Sequence, residues 1–156
     1  MCRKISIIGL FIFVFNFTAF AYKRAYKTAV GLRGSIGGET IRGGGITGKH
    51  FFWQQAAVEG VVSVTSFSGT RLIALYEYHF EIPEVEGLQW SVGGGTHITT
   101  LSSATLWGID AIGGIEYTFA TIPLNMGLSW KPELNITGKA YTGFASDIAV
   151  HLRFAF

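Results

Sequence analysis

The side chains able to do chemistry in this chain are few. It has 156 residues, 14% of them charged, with four histidines and a single cysteine. Nucleophilic catalysis needs a nucleophile, a base and an orienting acid within hydrogen-bond reach. Ser91 and His97 share one face of an extended run but stand six positions apart, roughly 20 Å at the usual strand rise. His50 has no serine or acid in phase with it. No catalytic residue is therefore assigned, and no metal or cofactor site.

What remains is a set of charges: Arg33, Lys49, Glu59, Glu77, Asp110, Glu116, Lys131, Glu133, Asp147 and Arg153. Both signs are present, and all fall on the same face of alternating runs. Charges enclosed together persist only when paired, so the expected chemistry is a salt-bridged plug, with a proton or ion path through the same residues as the alternative. Two glycine triplets, Gly43 to Gly45 and Gly93 to Gly95, do not open helices as phosphate cradles do. In strands, glycine marks bends, bulges or close backbone approach.

The elements that must hold these residues are strands. Phe144 to Phe156 alternates throughout: Phe144, Ser146, Ile148, Val150, Leu152, Phe154 and Phe156 on one face, Ala145, Asp147, Ala149, His151, Arg153 and Ala155 on the other. A period of two places successive side chains on opposite faces of a strand. Seven earlier stretches repeat the pattern: 25–36, 45–52, 56–66, 71–82, 88–99, 105–119 and 124–136. Most are longer than the roughly 5–6 residues of an ordinary strand and suit the 9–11 of a tilted membrane crossing. Pro132 cannot donate to a ladder, so a bulge or a frayed strand end is expected there. No stripe at helical spacing occurs.

The first residues read differently. Arg3 and Lys4 precede an apolar run, Ile5 to Phe17, which ends at Ala19-Phe20-Ala21. That is the pattern of a cleaved export signal, giving a leader at 1–21 and a barrel at 22–156. Cys2 lies within the leader, so the exported chain uses no disulfide. From Tyr22 onward ten basic residues face ten acidic ones, and no nucleic-acid footprint exists.

Eight long strands joined by turns imply an all-β, eight-stranded antiparallel up-and-down transmembrane β-barrel. One end carries the turns at 53–55, 83–87 and 120–123. The other carries 37–44, 67–70, 100–104 and 137–143, where Arg42, Arg71 and Lys139 are read as solvated loop charges, with contact to anionic lipid headgroups as the alternative. The apolar face is expected to point outward, because aromatics gather on it near the first end: Tyr26, Phe52, Tyr78, Phe80, Trp90, Tyr117, Phe119, Phe154 and Phe156. Rings at one level across many strands make an interfacial girdle. An open porin-like channel is not expected, since aqueous lumens need about 16 strands. Arg33 and Asp147, counted from the turns, come to similar height on the first and last strands.

In these features the sequence resembles the eight-stranded outer-membrane β-barrel proteins of the OmpA and OmpX type, whose last strand ends in Phe. The resemblance covers Tyr22 to Phe156 as architecture and "VHLRFAF" as a motif; His151 stands where that motif often has glycine. It implies a Gram-negative outer-membrane location, outer-membrane lipid as a partner, and Val150, Leu152, Phe154 and Phe156 as the signal read by the barrel-assembly machinery. The role implied is structural or interactive at the membrane. A lipid-modifying outer-membrane enzyme would show a clustered Ser/His/acid site, and a soluble lipocalin-like carrier an apolar lumen.

Overall fold

A computed structural model describes residues 26–37, 42–66, 69–102, 104–136 and 143–156. The leader at 1–21, the side chain of Arg42, and Lys139 lie outside the described residues. Eight strands are present among the described residues: β1 Thr28–Gly37, β2 Arg42–Phe51, β3 Ala56–Thr65, β4 Thr70–Glu81, β5 Leu88–Thr100, β6 Thr105–Thr118, β7 Leu124–Asn135 and β8 Gly143–Ala155. Each pairs antiparallel with the next, and β8 pairs with β1 to close the barrel.

The closure is staggered. A row of ladder partners runs Ala29, Lys49, Glu59, Leu75, Gly95, Asp110, Glu133, Ala145. Yet the partner of Ala29 on β8 is Ala155, ten residues from Ala145. A shift of ten residues around eight strands tilts the strands by about 40°, taking the usual rise and strand spacing. Long strands follow from that tilt, since each must climb obliquely from one end to the other.

Alternation then sorts the side chains. β4 reads exposed and buried in strict turn from Thr70 to His79, with Leu72, Tyr76 and Tyr78 outward and Arg71, Glu77 and His79 inward. Leu32, Val64 and Val150 are more than half exposed, while Arg33, Lys49 and Arg153 are at most 5% exposed. The polarity of a soluble globule is inverted: apolar outside, charged inside.

Three expectations change. Pro132 produces neither bulge nor fraying, for β7 continues through it to Asn135. The β6–β7 ladder skips only Pro132 and Lys131 and resumes in the same register, Asp110 with Glu133 and Gly113 with Trp130. Gly43 and Gly44, assigned to a loop, belong to β2 and pair with Thr65 and Val64. Tyr26 does not join the outer girdle. It precedes β1, where the chain bends at Lys27, and its ring turns into the lumen, 6% exposed. The period-two count fails because Tyr26 lies outside the strand.

Candidate functional site

Among the described residues the lumen gathers most of the charged side chains, in two layers. The layer nearer the β2–β3, β4–β5 and β6–β7 turns is built around Glu59 on β3 and Lys49 on β2, which are ladder partners. Lys49 Nζ lies 2.8 Å from Glu77, 3.1 Å from Glu116 and 3.6 Å from Glu59. Glu59 Oε1 accepts from Arg33 at 3.0 Å, Arg153 at 2.6 Å and the Thr47 hydroxyl at 2.7 Å. Arg33 also donates to Ser129 Oγ on β7. Three cations, Arg33, Lys49 and Arg153, thus face three carboxylates, Glu59, Glu77 and Glu116. Mutual attraction offsets desolvation because each carboxylate has a close cationic partner.

The mouth below this layer is closed by rings. Tyr26 donates its hydroxyl proton to Glu116 at 2.8 Å and meets Phe51 edge-on, centroids 5.2 Å apart. Phe51 in turn packs against His79 at 4.8 Å. Ala29, Ala57 and Ala155 complete this apolar cluster.

The second layer lies toward the other end. Lys131 Nζ is 2.6 Å from Glu133, 3.4 Å from Asp110 and 3.5 Å from Asp147. Arg71 holds Glu133 at 2.5 Å, and His97 bridges Asp110 and Asn135 at 2.8 Å each. His97, Asp110 and Glu133 offer ligand atoms within 4.8 Å of one another, a set that could hold a metal ion. The Lys131 ammonium already sits against both carboxylates and supplies the positive charge there.

Between the layers stand Val61, Ile73, Leu75 and Ile112, a buried apolar cluster inside the lumen. On β4 the inward order is Arg71, Ile73, Leu75, Glu77; on β6 it is Asp110, Ile112, Gly114, Glu116; on β8 it is Asp147, Ala149, His151. Among the described residues no ion pair crosses this septum.

Arg33 and Asp147 are not brought together. The stagger sets Arg33 opposite His151 and Asp147 opposite Gly37, so Arg33 meets Glu59 and Asp147 meets Lys131. Arg71 is not a rim residue for headgroups: it is 3% exposed and committed to Glu133. The alternation that turns Glu77 inward turns Arg71 inward too, and was the signal for it. His79, Asn135 and Tyr26 also belong to the lumen network, and only the first two were readable from strand phase.

Outside, Tyr78, Phe80 and Trp90 form a continuous ring contact, Phe80 stacked on Trp90 at 4.2 Å. Tyr117 with Phe119 and Phe154 with Phe156 form two further pairs. The Tyr78 hydroxyl also bonds Gln55 in the β2–β3 turn. Phe52 lies 5.1 Å from His50, whose Nδ1 is 2.8 Å from the Thr28 hydroxyl. His97 bonds Asp110 and Asn135 and no serine, and Ser91 faces His79 across the β4–β5 ladder.

No protein family matches the chain, and no curated protein matches its sequence. Solved structures do share its fold. The N-terminal β-barrel domain of Pseudomonas aeruginosa OprF aligns with a TM-score of 0.58 at 15% identity, covering 83% of this chain and 99% of that one. A structure of Neisserial surface protein A, NspA, gives 0.59 at 8%, covering 85% and 97%. A de novo designed transmembrane β-barrel gives 0.61 at 11%, covering 86% and 98%.

Proposed function

We propose that the chain is an integral outer-membrane β-barrel, exported through the leader at 1–21, with a closed polar lumen and a structural or interaction role exercised through its outer wall and rims. The observation that carries this reading is the inverted polarity. Leu32, Val64, Val150 and Leu152 stand exposed on one wall while Lys49, Glu59, Lys131 and Arg153 are sealed inside. Apolar surface on that scale is unfavourable in water and suits hydrocarbon. Closed ladders also leave no strand edge to satisfy, as a bilayer requires.

The two-layer lumen supports a plug rather than a conduit. An ion moving along it would have to leave one charged layer and pass Val61, Ile73, Leu75 and Ile112, side chains that offer no oxygen in place of its hydration. The same polar lumen disfavours a lipocalin-like carrier. Val150, Leu152 and Phe154 lie in phase on the outer face of β8, with Phe156 following just beyond it, a placement that suits recognition by the barrel-assembly machinery.

Single cysteines at Ile148, Val150 and Ala149 test the reading in membranes. Labels at 148 and 150 should be quenched by a lipid-confined quencher, while 149, inside the lumen, should resist both that quencher and a water-soluble thiol reagent. Full reaction of 148 and 150 with the aqueous reagent would sink the membrane assignment.

A further inference from the structure

Beside the apolar cluster lies a cavity of about 10 Å³, lined among others by Ile112, Glu77, Ser91, Ser129 and His151. His151 is 8% exposed, and neither of its ring nitrogens has a hydrogen-bond partner within the protein. Its nearest acid, Glu116, is 3.8 Å away, beyond hydrogen-bond range. Glu77 presents a second orphan to this region: Oε2 is held by Lys49, whereas Oε1 has no partner. Orphaned buried polar atoms are costly and rare.

We infer that this cavity is a binding site for one water molecule held between His151 and Glu77. Size excludes anything larger, since about 10–15 Å³ is the least that admits one water. Charge excludes an ion: Arg33, Lys49 and Arg153 already balance Glu59, Glu77 and Glu116, so a cation would meet Lys49 and an anion would meet Glu77. Water alone suits both orphans, because it donates to the Glu77 carboxylate while donating to or accepting from an imidazole nitrogen.

The site has a structural consequence. His151 lies on β8 opposite Arg33 on β1, at the seam that closes the barrel. A water between His151 and Glu77 ties that seam to β4 across the lumen.

Crystals of the full barrel, wild type and His151→Phe, test this, each also soaked with rubidium and with bromide. Wild type should show one non-anomalous density peak about 2.7–3.2 Å from a His151 ring nitrogen and from Glu77 Oε1. His151→Phe should lose that peak. Should that variant not fold, His151→Gln, which keeps a polar end at the cavity, should retain it. An anomalous peak would identify an ion, and a dry cavity or a His151 ring bonded directly to Glu116 would equally overturn the assignment.

Discussion

Arg153 and Glu59 are 94 positions apart and meet at 2.6 Å. The ladder partner of Glu59 is Lys49, on the adjacent strand, yet its closest cation comes from the last strand of the chain. That approach depends on closure, because Arg153 is brought to the first strands through its register partner Gly31 on β1.

Glu59 should therefore hold the seam shut. Glu59→Gln leaves Arg33, Lys49 and Arg153 facing two carboxylates, and an uncompensated buried charge costs about 3–5 kcal/mol. Urea unfolding of the barrel in phospholipid vesicles would read the loss. Replacing Glu59 and Arg153 together with apolar residues should cost less than Glu59→Gln alone. A loss in the double variant equal to the sum of the two single losses would mean that the two side chains act independently.

The septum makes a second claim, about conductance. The wild-type barrel should give no steady current in a planar bilayer. Shortening Ile73, Leu75 and Ile112 together to alanine removes most of the apolar cluster between the charged layers, and transient openings should follow. Each single truncation should also destabilise by about 2–5 kcal/mol if its space cannot collapse. Steady current through the wild type would show that the layer is not a barrier.

The strands were legible in the sequence because alternation is a local property: each of the eight begins and ends within three residues of its expected bounds. Inward placement of Arg33, Lys49, Glu77 and Lys131 follows from the same parity. Partnership is not local. Which charge meets which is set by the ten-residue stagger at the β1–β8 seam, and no single strand encodes it, so counting from the turns brings Arg33 level with Asp147 whereas the closed barrel brings it to Glu59. Tyr26 escaped for a different reason, since parity has no meaning one step before a strand begins. The septum was visible in part: Ile73, Leu75 and Ile112 occupy inward positions between charges, but only register brings them to one level with Val61.

Val150 offers a test of which solvent the wall faces. It is 58% exposed and pairs with Gly34 and Leu128 near the middle of β8. Arginine there should cost about 2–4 kcal/mol if hydrocarbon surrounds it, against about 0–1 for arginine at Phe156 near the interface. Reversible folding into vesicles measures both. Equal, negligible costs at the two positions would contradict a lipid-facing wall.

Tyr26 closes the mouth of the lumen by two separable means, its ring and its hydroxyl. Tyr26→Phe keeps the edge-on contact with Phe51 and removes the bond to Glu116, a bond to a charged acceptor worth about 1.5–3 kcal/mol. Tyr26→Ala removes both and uncovers Phe51, whose amide donates to the carbonyl of Lys27 at 2.9 Å. Hydrogen exchange at the Phe51 amide should therefore accelerate strongly in Tyr26→Ala and little in Tyr26→Phe, because the ring shields that segment and the hydroxyl only anchors it. If the two variants accelerate exchange equally, the hydroxyl bond to Glu116, and not the ring, is what keeps the mouth closed.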